Sequence, residues 1–426
     1  MTRVMKMEWG GLALLGLLLI SGCVPQSDDA EAVVVRDSVG IAIIENRTPD
    51  WGDDGSWWIL PDPILTVGEA DGEPEYEFHG VSSVTRLSDG RIAVALASAG
   101  VVRLFDCRGR FLQSIGGLGH GPGEFQRAHR LLEGPQGDLW IWDGYRGRMT
   151  VFSPGGQYED SFAVPEGSTW AGGFLQGIDR SGVLYFVLTP PGSVLPSELG
   201  RVTREPFKVV RFRPEEETLD TIIDLLGRQY YHYVDEGGAM RGRPIFGRTS
   251  TMALRSTSLV TANTDAFELR VYDHAGALRS IIIRTGDPRP VTRGEVRRVR
   301  DGLLAAADSV ANPTLRRLRL GLASELPARQ SLPAFESLRV DSGDHLWVLR
   351  SGFSWQEGST WDVFNPEGRW LGTVELPEEL SGMTIHQIDD EMIVGVLFDE
   401  LDVPYVSLFP LMKDTDASPP VSACPD

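Results

Sequence analysis

Seven histidines and three cysteines are the obvious candidates for chemistry in this 426-residue chain. His79, His120, His129, His232, His274, His345 and His386 never fall at the i, i+2 or i, i+4 spacing that turns two imidazoles toward one metal, and His-Glu-x-x-His is absent. A metal site would need ligands from distant segments. Nucleophile signatures are missing too: there is no Gly-x-Ser-x-Gly, and Cys107 sits in a hairpin turn without an evident histidine partner. The acidic run Asp50–Gly55 (DWGDDG) has calcium-like spacing, but Gly52 takes a ligand position and Pro61 stands where the bidentate glutamate belongs. The expectation is therefore no catalytic residue, no metal ligand and no cofactor. The glycine-rich stretch Gly116–Gln126 (GGLGHGPGEFQ) asks whether phosphate is cradled there. It lacks Gly-x-Gly-x-x-Gly, no Gly-Lys-Ser/Thr follows, and no helical pattern begins. One stretch suits recognition. Arg228, Tyr230, Tyr231, His232 and Tyr233 (RQYYHY) combine arginine with aromatics, which bury area at low entropy cost. The competing reading makes Tyr231 and Tyr233 a strand edge, with Tyr230 and His232 merely exposed.

The N-terminus carries an address. Arg3 and Lys6 precede the apolar run Leu12–Ile20, too short to span a bilayer comfortably and laid out as a secretory core. Leu19-Ile20-Ser21-Gly22-Cys23 resembles the bacterial lipobox. That resemblance implies cleavage after a signal peptide, residues 1–22, with diacylglycerol on the Cys23 sulfur and acylation of its new amine, which makes a stable anchor. Residues 23–32 then read as a flexible tether, and Val24 favours an outer membrane facing the periplasm. Cys107 and Cys424 remain; an exported chain can oxidise such a pair, and two free thiols are equally compatible. Residues 413–426 read as a disordered tail.

Composition narrows the partners. The formal charge is -20 and the acidic residues are spread along the chain rather than held in one tail, which argues against nucleic acid. The expected partners are the membrane, through lipid on Cys23, and a protein or small ligand. Gly (48) and Pro (27) suit many short strands joined by turns.

Self-similarity organises the rest of the chain. An apolar strand pair, then an alternating strand and a turn, recurs in six copies: 86–115, 132–162, 177–222, 254–283, 338–376 and 387–411. RVYDHAGAL and DVFNPEGRW alternate before Asp/Asn-x-x-Gly turns, a hairpin signal, whereas DLWIW and HLWVL are apolar throughout, as strands covered on both faces should be. Such sheets must pack on one another, and radial packing gives a propeller. Gly116–Phe125 resembles the blade connector of NHL-repeat propellers. The resemblance implies that Gly116, Gly119, Gly121, Pro122 and Gly123 let the chain cross between blades while Phe125 anchors it. Val67-Gly68 and Glu77-Phe78 align with Ile115-Gly116 and Glu124-Phe125. The expected fold is all-β: a six-bladed β-propeller of four-stranded antiparallel blades over residues 33–412. Val33–Asn46 is expected to complete the sixth copy, so that both termini close the ring. A helical insertion, 287–333, is set between the fifth and sixth repeats. Its apolar stripe of Val296, Val299 and Leu303 should pack on the propeller, leaving Arg297, Arg298 and Arg300 solvated.

The expected function is a lipid-anchored envelope scaffold that binds protein or ligand without catalysis. The alternatives are a metal-dependent propeller lyase or lactonase using the central channel, and a structural subunit of an envelope assembly.

Overall fold

Each repeat folds into an antiparallel sheet whose strands follow chain order. The computed structural model describes residues 32–51, 56–164, 173–189, 199–286, 288–352, 359–413, 420 and 422–425, all within the unit Ala32–Asp426. The signal peptide, Cys23 and the tether up to residue 31 lie outside the described residues. Sheet one comprises Val81–Arg86, Ile92–Leu96, Val101–Phe105 and Phe111–Gly116; sheet two comprises Ala128–Glu133, Leu139–Asp143, Arg148–Phe152 and Tyr158–Ala163. Sheet five, Phe335–Val340 to Trp370–Glu375, is also four-stranded. Second strands are the most apolar because both faces are covered: all five residues of Ile92–Leu96 are buried. The Asp-x-x-Gly turns close as expected. The Asp106 carboxylate accepts from the amides of Arg108 and Arg110, both at 2.9 Å, and Asp273 does the same for Ala275 and Ala277.

The other sheets exceed four strands. Sheet three runs from Gly173–Ile178 to Gly238–Gly242 in five strands, and its third and fourth, Val202–Arg213 and Thr218–Asp235, are unusually long. Sheet four, Ser250–Leu254 to Leu278–Arg284, has six strands because Ile41–Asn46 pairs in parallel with Leu278–Arg284 and Val33–Ser38 adds outside it. Val33–Asn46 therefore does not complete the sixth copy. Asn46 explains the placement: fully buried, it donates to the Gly368 carbonyl at 3.0 Å and accepts from the Trp370 amide at 2.8 Å, fixing the strand where sheets four and five meet. Sheet six, Thr384–Ile388, Met392–Phe398 and Pro404–Met412, is instead extended by Trp58–Ile59 and Leu65–Val67, both paired with Pro404–Met412.

Side chains of successive sheets share apolar clusters. Leu104 and Ile141 join sheets one and two, Phe186 and Trp142 join two and three at 5.3 Å between rings, and Tyr185 and Leu259 join three and four. Phe267 and Phe335 join four and five, Trp347 and Ile385 join five and six, and Val394 and Val94 join six and one. The fold is all-β and of the propeller type. The glycine-rich stretch lies between sheets one and two: Phe125 is fully buried, and its amide donates to the Gly117 carbonyl at 2.8 Å. Gly116 has φ 88°, and a Cβ there would come within 2.4 Å of the Phe125 ring, so no other residue fits. Phe78, equally buried, lies beside Gly68 in the matching place before sheet one.

The helical insertion falls between sheets four and five, not between the fifth and sixth repeats. Residues 287–333 follow the fourth copy, 254–283, and precede the fifth, 338–376, so the sheet before the insertion is the fourth. Helix α1, Arg293–Asp308, opens on a capping box of Thr292 and Glu295, and α2, Pro313–Glu325, on Asn312. Val296 and Val299 pack against Ile245, Leu322 and Leu326, but Leu303 is 39% exposed. Arg300 is not simply solvated: it donates to the carbonyls of Ala323, Ser324 and Leu326, capping the end of α2. Cys107 and Cys424 form a disulfide with Cα atoms 4.7 Å apart. Within the tail expected to be disordered, Ala423 is buried, and its carbonyl accepts from Arg86 at 3.0 Å.

Candidate functional site

The first strands of sheets two, three and four converge on a cavity of about 490 Å³. Its floor is His129, Arg130, Gln176, Thr251 and Met252; Trp142 and Val187 enter from the ends of the second strands. A wall is raised by the long strands of sheet three, from which Phe207, Arg228 and Tyr230 face inward, with Arg241 beside them from Gly238–Gly242. Helix α2 packs against the same two strands from outside. The Arg241 guanidinium lies 4.1 Å above the Tyr230 ring and pairs with Glu205 at 2.6 Å.

Strand alternation divides the five candidate recognition residues. Arg228 and Tyr230 line the cavity. Tyr231 turns away and donates to Glu325 at 3.1 Å, and the Tyr233 hydroxyl lies against Gly321 of α2. His232 is not exposed: it is fully buried, with Nε2 2.6 Å from the Thr203 hydroxyl. The spacing of RQYYHY contained this division, since every second residue of a strand shares a face.

Arg130 and Arg339 were missed in the sequence, and His386 was weighed there only as a metal ligand. Arg130, Arg339 and His386 sit on first strands of sheets two, five and six; Arg339 feels the charge of Arg130, and His386 feels that of both arginines. Arg130 is exposed to solvent, though the protein around it disfavours its charge; its Nη2 donates to the Gln176 carbonyl at 3.1 Å. Burial, then the charge of Arg130, pushes Arg339 down to about 10. His386 is pushed down to about 4, by burial first and then by Arg339 and Arg130. Its Nδ1 accepts the Val84 amide at 3.4 Å, so the neutral ring carries its proton on Nε2. Around the wall, burial and Arg228 lower Arg243, while burial raises Glu336 against the pull of the Gly352 amide and Arg243. In a chain of net charge -20 this concavity gathers arginines.

His386 makes a testable contribution to stability. Its folded pKa lies below the ordinary 6.5, so the unfolded chain takes up the proton first as pH falls. Stability is expected to drop between about pH 6.5 and 4, by roughly 3 kcal/mol in all at about 1.4 kcal/mol per unit. Denaturant melts across that range should show a flatter profile for His386→Gln; identical profiles would refute the assignment.

Among the described residues, no three His, Cys, Asp or Glu side chains come together as a metal-binding group. No protein-family model matches the chain, and no curated protein matches it in sequence. Solved structures similar to it in outline include a protein of Bacteroides fragilis named as exported (10% identity, TM-score 0.45, covering 88% of this chain and 99% of that one). A gluconolactonase of Xanthomonas campestris is similar at 14% identity and TM-score 0.41, over 83% and 99% of the two chains. A virginiamycin B lyase of Staphylococcus aureus is similar at 9% identity and TM-score 0.38, over 82% and 98%. These likenesses assign no chemistry to this chain.

Proposed function

We propose that the protein is an envelope binding module: a six-bladed β-propeller, lipid-anchored through Cys23, that takes a small ligand in the cavity beside Arg228, Tyr230 and Arg241. The cavity carries this reading. At about 490 Å³ it is within the size range of small-molecule sites, and it presents convergent arginines and aromatic faces on a rigid scaffold. The six shared clusters, with sheet six packed on sheet one, support one ring; the N-terminal strands on Pro404–Met412 are its closure. The innermost strands then enclose a central channel, and the cavity is its mouth on one side. The lipobox-like Leu19–Cys23 supports the anchor, and the outer membrane facing the periplasm is the favoured location.

The test is thermal melting of the full chain in detergent, with and without a size-filtered small-molecule extract of its host. The wild type should gain a few degrees, since ligand at about 100 times its Kd adds roughly 2.7 kcal/mol. Tyr230→Ala/Arg241→Ala should gain nothing. An equal gain in both, or none in either, would count against the site. A chelator arm serves the competing reading: bound metal and a chelator-induced fall in melting temperature would favour a metal-dependent lyase or lactonase. Cys23→Ser should move the protein from the membrane to the soluble fraction, and unchanged fractionation would remove the anchor.

A further inference from the structure

The helical insertion concentrates positive charge in an acidic chain. Residues 288–333 hold nine arginines against four acids, while the whole chain carries a formal -20. Some of these arginines hold the insertion together. Arg289 pairs with Glu295, Arg317 pairs with Asp235, and Arg300 takes the carbonyls that end α2. Others do not. Arg293 and Arg297 lie one turn apart on α1, Arg316 and Arg319 lie three residues apart on α2, and all four are exposed. Among the described residues, no ion pair or side-chain hydrogen bond takes these four up. The two helices pack on each other, and α2 packs on the long strands of sheet three, so the charges stand on a firm support.

The chain's N-terminal segment is rooted beside this insertion. The carbonyl of Ala32, the first described residue, accepts the Arg47 amide at 2.9 Å, and the neighbouring Asn46 carbonyl accepts the Thr285 amide at 3.0 Å. Thr285 is where the chain leaves sheet four for α1. From Cys23 to Ala32 there are nine residue steps, at most about 30 Å of extended chain. An anionic bilayer repels the acidic remainder of the molecule and attracts a basic face beside the tether.

We propose that the helix pair is a second membrane contact: Arg293, Arg297, Arg316 and Arg319 rest on anionic phospholipid headgroups and orient the propeller on its bilayer. This rests on the lipid-anchored reading and adds the face that meets the membrane. An anchor on a flexible tether limits distance without fixing orientation, whereas each arginine near an anionic surface adds roughly fivefold in affinity.

The test is flotation of the full chain carrying Cys23→Ser, so that acyl chains do not mask the contact. The vesicles are phosphatidylcholine alone, and phosphatidylcholine with phosphatidylglycerol in equal parts. The protein should float with the anionic vesicles. Adding Arg293→Gln/Arg297→Gln/Arg316→Gln/Arg319→Gln should weaken that binding at least about tenfold. Both chains keep the same N-terminus, so the difference belongs to the helices. Lysine at the same four positions should restore binding, which guards against a folding defect. Arg110→Gln/Arg279→Gln, which removes two exposed charges outside the helices, should bind as the parent does. Raising salt from about 0.1 M to 1 M, where the screening length falls from about 10 Å to 3 Å, should abolish the difference. Equal vesicle binding by the parent and the fourfold glutamine variant, no binding by either, or indifference to phosphatidylglycerol overturns the contact. If Cys23→Ser leaves membrane fractionation of the cells unchanged, the anchor falls, and the vesicle comparison still decides the helix pair.

Discussion

Asp362→Ala is expected to destabilise the protein by about 3–5 kcal/mol, the range for removing one partner of a buried ion pair. The Asp362 carboxylate is fully buried where sheets four and five meet. It accepts from Arg350 Nη2 at 2.7 Å and Nε at 3.0 Å, and pairs with Arg284 Nη1 at 3.1 Å. Arg284 is also fixed over the Phe267 ring at 4.4 Å and near Trp370, where burial lowers its pKa against the pull of Asp362. Without the carboxylate, one guanidinium stays enclosed between aromatic rings with no counter-charge. Denaturant unfolding would measure the loss. Arg350→Met in the same background should recover part of it, since one stranded charge is then gone. A loss below about 1 kcal/mol would mean that water reaches Arg284 and the pair is not load-carrying.

Phe125→Ala should cost a similar amount, about 3–5 kcal/mol, through lost burial and a cavity that cannot collapse. The ring fills the seam between sheets one and two, 6.0 Å from the Phe152 ring and against a glycine that leaves no atoms to move in. Phe78→Ala should behave alike at the seam between sheets six and one, because Phe78 occupies the matching position. Chemical denaturation of both variants checks this. If Phe125→Ala were nearly neutral, the glycine-rich connector would be a surface loop and not the clamp between two sheets.

The repeat was legible because its signals are local. An Asp-x-x-Gly turn and an apolar five-residue strand can be read within ten residues, and Asp106, Asp273 and Leu139–Asp143 do in the structure what those patterns ask. The helix starts at Thr292 and Asn312 are local too. What pairs with what across the chain was less legible. Val33–Asn46 has a strand's composition, but only the burial of Asn46 against Gly368 and Trp370 selects sheet four over sheet six. The half of the site on RQYYHY came from aromatic content, and alternation would have discarded Tyr231 and Tyr233 at once. Arg130 and Arg339 carried no local mark, and His386 was marked only as one histidine among seven. Each stands singly in an ordinary alternating strand, and only the packing of separate repeats sets them against one another.

Arginine-selective modification with phenylglyoxal, followed by peptide mass mapping, tests binding at the cavity most directly. The full chain would be labelled with and without the host's small-molecule extract. The expected result is protection of Arg228 and Arg241, with no change at Arg110 and Arg279, whose side chains are 71% and 65% exposed and which are not part of the cavity lining. Unchanged labelling of Arg228 and Arg241 by an extract that stabilises the protein would place the ligand elsewhere and contradict the cavity as the site.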